Sequence, residues 1–178
     1  MGLTLKAVSK DYHYDEEGEG VGEEYSSTDI GYGGYKFFRD ALLKFASNGK
    51  MMDIVCRFEG KELTWCFYSS KTYIVVSSKE QLDDEDEGNE KVKEYFKRLE
   101  KLKAEYPDVY EIFGFIAHND CEGEIPLFQC EKLLPVLKRF YEVDKNNYGY
   151  SGWDYNFTED LINVLEEVIE NKGKLWFC

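Results

Sequence analysis

Polar and apolar positions alternate from the first residues of the chain. Leu3, Leu5 and Ala7 are set against Thr4, Lys6 and Ser9, a period of two that predicts a strand. The same period returns across residues 51–77. Ile54, Cys56 and Phe58 alternate with polar or smaller neighbours, Glu59-Gly60-Lys61 turns, Leu63, Trp65 and Phe67 follow, Ser69-Ser70-Lys71 turns again, and Tyr73 to Val76 closes the pattern. That is a three-stranded antiparallel meander.

Elsewhere the period is helical. Tyr35, Phe38, Leu42, Phe45 and Ala46 share one face, so a helix is expected over 34–47, with Asn48-Gly49 as its left-handed stop. Asn89 can cap a helix carrying Val92, Tyr95, Phe96, Leu99 and Leu102 inward, with Pro107 as its stop. Pro126 opens an amphipathic run through Leu127, Cys130, Leu134, Leu137 and Tyr141, which Pro135 must kink or restart. Thr158 caps a last helix with Leu161, Leu165, Val168 and Ile169 inward. Gly173 ends it, and Leu175-Trp176-Phe177 reads as a closing strand. Residues 112–117 are apolar on both faces and read as a buried central strand, with a helix as the alternative. The expected fold is α+β, a mostly antiparallel sheet with about four covering helices, in a single domain over 1–178. Acidic loops are expected near 15–24 and 83–90.

Composition adds limits. With 43% hydrophobic and 16% aromatic residues the chain can build a sizeable core. Lysine and arginine number 22 against 36 acids, a net charge of −14 that repels nucleic-acid backbones and anionic membranes, so neither is expected as a partner. It admits a basic partner, including by mimicry of a nucleic acid's charge. Five cysteines, an odd number without a C-x-x-C pair, point to reduced thiols in a cytoplasm. No apolar stretch at the start suggests a secretory leader, and no run approaches membrane-spanning length. Trp176 and Phe177 on a last strand can pair across a two-fold in a homo-oligomer.

Three stretches carry candidate chemistry. Gly33, Gly34, Tyr35, Lys36 and Arg39 lie where a helix is expected to begin. Bare backbone N–H groups there, with two cations one turn in, can hold a phosphate or another anion, while the glycines equally suit a tight turn alone. In the ring-rich stretch around Tyr148, Tyr150, Trp153, Asp154 and Tyr155, aromatic faces can stack on a base and the acid can read its polar edge; the same rings can also lid the core. His118, Asp120 and Glu122 fall at positions 1, 3 and 5 of a calcium-type loop, with Gly123 at position 6. Position 12 is Gln129, so the closing carboxylate is missing, and an Asx-type turn explains the same residues. No cofactor is therefore expected, with calcium the one metal considered. Cys121 beside His118 makes a poor nucleophile, because Asp120 and Glu122 oppose formation of a thiolate.

The sequence resembles small phage- and prophage-encoded proteins. The match rests on Met1-Gly2-Leu3, on the tyrosine- and glycine-containing helix start around Tyr35 to Arg39, and on the loop His118-Asn119-Asp120-Cys121-Glu122-Gly123 with Pro126 and Cys130-Glu131 beyond it. Glu122 stands where the family has Asp, and Gln129-Cys130 where it has Glu-Cys. The resemblance implies a phage or prophage accessory protein and carries no activity with it. Two functions are therefore expected to compete. One is a non-enzymatic protein that sequesters a small anionic ligand such as a nucleotide immune signal, a cyclic nucleotide or an ADP-ribose derivative. The other is an acidic immunity or inhibitor protein for a basic toxin or nuclease.

Overall fold

A computed structural model describes residues 2–49, 54–59, 62–67, 72–75, 97, 100–118, 123–144 and 156–178. Strand β1 (Gly2–Val8) and strand β4 (Glu24–Gly31) frame a small ribbon of β2 (His13–Tyr14) and β3 (Gly20–Val21). Helix α1 (Tyr32–Ala46) follows, then β5 (Ile54–Glu59), β6 (Glu62–Phe67) and β7 (Thr72–Val75). Helix α2 (Pro107–Ala117), strand β8 (Gly123–Pro126), helix α3 (Leu127–Asp144), helix α4 (Asn156–Glu170) and strand β9 (Lys174–Phe177) complete the order. The fold class is α+β, as expected from the alternation of the two periods.

The chain divides into two units, Met1–Arg39 with His118–Cys178, and Asp40–Ala117. The first holds an antiparallel sheet in the order β4-β1-β9-β8. Chain ends meet at its centre, with Leu5 opposite Phe177 and Ala7 opposite Leu175. Its inward face is the alternation read from the sequence: Leu3, Leu5, Ala7, Leu175 and Phe177 are all buried, together with Ile30 and Ile125 from the outer strands. Helix α4 lies over β4, β1 and β9, and α3 over β8 and β9. Phe38 of α1 closes this core edge-on against Phe140 at 5.9 Å and Phe157 at 4.9 Å.

Several boundaries move, each for a local reason. Pro126 ends β8 rather than opening α3; as an edge-strand residue it lacks only an N–H that the ladder does not need. Pro135 does not break the run, since α3 continues through it to Asp144. Pro135 and Glu131 are both exposed, so water can solvate the Glu131 carbonyl that lacks its helical donor. Thr158 is not the cap: α4 already begins at Asn156, and the buried Thr158 hydroxyl donates to Asp144 Oδ2 at 3.0 Å. Gly173 follows Lys172, whose φ of 52° supplies the left-handed stop, and a Cβ on Gly173 would overlap the Val8 carbonyl.

The acidic stretch 15–24 is less loop-like than expected, because it contains β3 and the start of β4. Asp15 Oδ1 accepts the N–H groups of Glu17 and Glu19, both at 2.9 Å, and Gly18 takes a φ of 81°, which together make the turn between β2 and β3.

In the second unit β5-β6-β7 form the expected antiparallel meander, with Trp65 opposite both Cys56 and Ile74. Residues 112–117 correct the strand reading, because they are helical and belong to α2. Val109, Ile112, Phe113 and Ile116 are buried at a spacing of three and four that a strand cannot produce, and Phe115 is buried as well. Pro107 stands at the first helical position, where its missing N–H costs nothing, and so begins α2. The acidic stretch 83–90 and the Asn89 cap lie outside the described residues. Among the described residues, no helix is long and apolar enough to cross a membrane.

Candidate functional site

Strand β4 runs directly into α1, which starts at Tyr32, two residues earlier than its apolar spacing implied. Gly33 and Gly34 therefore lie within the first helical turn, whose N–H groups have no intrahelical acceptor and which contains no acid. Gly33 is exposed and Gly34 half-buried. Tyr35 is fully buried, edge-on to Phe177 with ring centres 6.2 Å apart, so its ring belongs to the core. The backbone of Lys36 is in the same helix, and its side chain lies outside the described residues.

One turn on, Arg39 lays its guanidinium over the Tyr35 ring at 4.5 Å, and its Nη1 donates to the His118 carbonyl at 2.8 Å. The His118 imidazole lies flat on Phe177, with ring centres 3.8 Å apart and planes at 21°. Its Nε2–Cε1 edge lies against Gly123, the cross-strand neighbour of Phe177, where φ is +132° and an added Cβ would lie 2.7 Å from His118 Nε2. Only glycine suits both that conformation and that approach. The result is a continuous run of contacts from guanidinium to phenol ring, edge-on to phenyl ring and flat to imidazole, fixed by a backbone hydrogen bond from Arg39 and by a glycine against His118. It can present a planar cation to an anion.

Tyr148, Tyr150, Trp153, Asp154 and Tyr155 lie outside the described residues, as do Asp120, Cys121 and Glu122. Of the candidate metal ligands only His118 is described, and its ring packs on Phe177 and Gly123. Among the described residues, no group of three or more histidine, cysteine or acidic side chains gathers as a metal site. Cys130 is fully buried, its Sγ toward the Ile125 carbonyl at 3.6 Å, and burial pushes its thiol up to about 12, which leaves it unreactive.

The outer face of the same sheet holds a second cluster that the sequence pattern did not reveal. Tyr12, Tyr14 and Trp176 meet edge to face at 5.4–6.1 Å. Lys174 Nζ sits 5.0 Å from the centre of the Trp176 ring and pairs with Glu124. Glu24 Oε1 accepts from the Tyr12 hydroxyl at 2.7 Å and from Lys6 Nζ at 2.9 Å. The Tyr12 hydroxyl and then Lys6 hold the Glu24 carboxyl below its ordinary range, while Glu24 holds the Lys6 ammonium above its own. Burial, and then Glu24, raises the Tyr12 phenol. These partners come from β1, the turn before β2, β2 itself, β4, β8 and β9, and no spacing in sequence joins them. Compared with protein-family models, curated proteins and solved structures, the chain matches none of them.

Proposed function

We propose that this chain is a non-enzymatic phage or prophage accessory protein that binds and sequesters a small anionic ligand, with Arg39 as its principal contact. The observation that carries this reading is the placement of the Arg39 guanidinium. The Tyr35 ring and the His118 carbonyl hold it two turns from the start of a helix whose first turn is free of acids, in a chain of net charge −14. A guanidinium fixed in this way loses little rotamer freedom when it takes up a phosphate or carboxylate, and the helix start adds a favourable field. In this reading the aromatic residues Tyr148, Tyr150, Trp153 and Tyr155 stack the base of a nucleotide, and Asp154 accepts from its polar edge.

Thermal unfolding of the chain against nucleotides, cyclic nucleotides, ADP-ribose derivatives and inorganic phosphate tests it. A ligand held only by the native state at a hundred times its Kd adds about 2.7 kcal/mol of stability. The expected result is a raised midpoint with one nucleotide class, lost in Arg39→Ala and weakened in Arg39→Lys, which keeps the charge but not the planar fork. No shift with any of these ligands ends the reading.

A further inference from the structure

We propose that the outer edge of β4 is a docking edge for an extended basic segment of a partner protein, which adds to the sheet as a fifth strand. Three observations converge on it. β4 is eight residues long, contains no proline, and among the described residues has a hydrogen-bonded neighbour on one side only, β1. The opposite edge of the sheet is β8, which is four residues long and ends in Pro126, so the two edges are unequally protected.

The backbone direction of each β4 residue follows from the ladder. Thr4 and Cys178 exchange both of their backbone hydrogen bonds, so Thr4 faces β9, and its neighbours Leu3 and Leu5 face β4. Opposite these stand Ile30 and Thr28, which therefore face β1. Ser27 and Asp29 then turn their N–H and C=O groups to the outer edge, where no backbone partner meets them among the described residues. A segment of five residues, about 17 Å, would span this stretch and satisfy those groups.

Charge selects the occupant. Residues 11–31 hold eight acids and no lysine or arginine, and all eight acids are exposed. Asp29 itself lies on the outer face, where it accepts from the Thr4 hydroxyl. A second copy of this chain would bring the same acids, and another −14, to the edge. A strand with lysine or arginine at every second position instead sets its cations beside Asp29 and the acidic ribbon.

The test is fluorescence anisotropy of the full chain with a labelled eight-residue peptide of alternating lysine and valine at physiological salt. Saturable binding is expected, at least about tenfold tighter than for the same peptide with glutamate in place of lysine. N-methylation of every second peptide nitrogen leaves the charge unchanged and should abolish binding. Ser27→Pro should do the same while β1 stays paired, because that N–H points away from β1. Absence of binding overturns the proposal, as does equal binding of the N-methylated peptide, which would reduce the effect to charge attraction. Sedimentation that shows a dimer dispersed by Ser27→Pro would assign the edge to a second copy and overturn it as well.

Discussion

Trp176 and Phe177 are neighbours on β9 that point to opposite faces of the sheet, and the two faces are closed by different physics. Phe177 is 1% exposed, and Tyr35, His118 and Gly123 surround it through shape and backbone conformation. Trp176 is half-buried under Tyr12 and Tyr14; Glu24, paired with Lys6, accepts from Tyr12, and Lys174, paired with Glu124, lies over the Trp176 ring. Volume and conformation make the inner stack stiff. The outer cluster depends on partly solvated ions, so it should be weaker and responsive to pH and salt.

The largest expected effect breaks the inner stack. Phe177→Ala removes a fully buried ring and should cost about 3–5 kcal/mol in denaturant unfolding. Trp176→Phe should cost under about 1 kcal/mol, because the indole N–H that it removes has no protein acceptor among the described residues. A larger loss for Trp176→Phe than for Phe177→Ala would reverse the contrast between the faces. Next comes Gly123→Ala. At φ +132° and against His118 Nε2 the substitution should cost about 1–3 kcal/mol, and the ring-current shift of the His118 protons should fall as the imidazole leaves Phe177.

On the outer face, Tyr12→Phe removes the 2.7 Å donor to Glu24 and should cost about 1 kcal/mol. The smallest effect is its pH dependence. Glu24 is held below its ordinary value of 4.5, so its contribution is complete above that pH and fades as the pH falls toward the lowered value. Solvent screens a carboxylate that is nearly half exposed, which limits the change to within about 1 kcal/mol. Tyr12→Phe should flatten this acid limb of stability, measured by unfolding from pH 6 to pH 3. An unchanged limb would show that the phenol does not tune Glu24.

Much of the fold was legible wherever one face of an element is buried. Leu3, Leu5 and Ala7 announced β1, and Leu175 and Phe177 announced β9, because alternation has one physical cause in a half-buried strand. The backbone pairing of the meander followed from the same pattern. Residues 112–117 misled because a run with apolar residues on every side has no period to read, and the decisive buried position, Val109, lies before it. β8 was missed because four residues with a glycine and a proline carry no alternation. At the candidate site Arg39 and His118 were each singled out, but not their contact, which spans 79 positions.

The sequence by itself determined the α+β class, the acidic surface and the positions of the amphipathic elements, because each depends on local period or on summed charge. Only the tertiary structure decided that Tyr35 is core rather than surface, that His118 rests on Phe177 against Gly123, and that Tyr12 and Lys6 share Glu24. These relations join residues far apart in the chain, and no local pattern encodes which of many apolar or charged side chains will meet once the sheet closes.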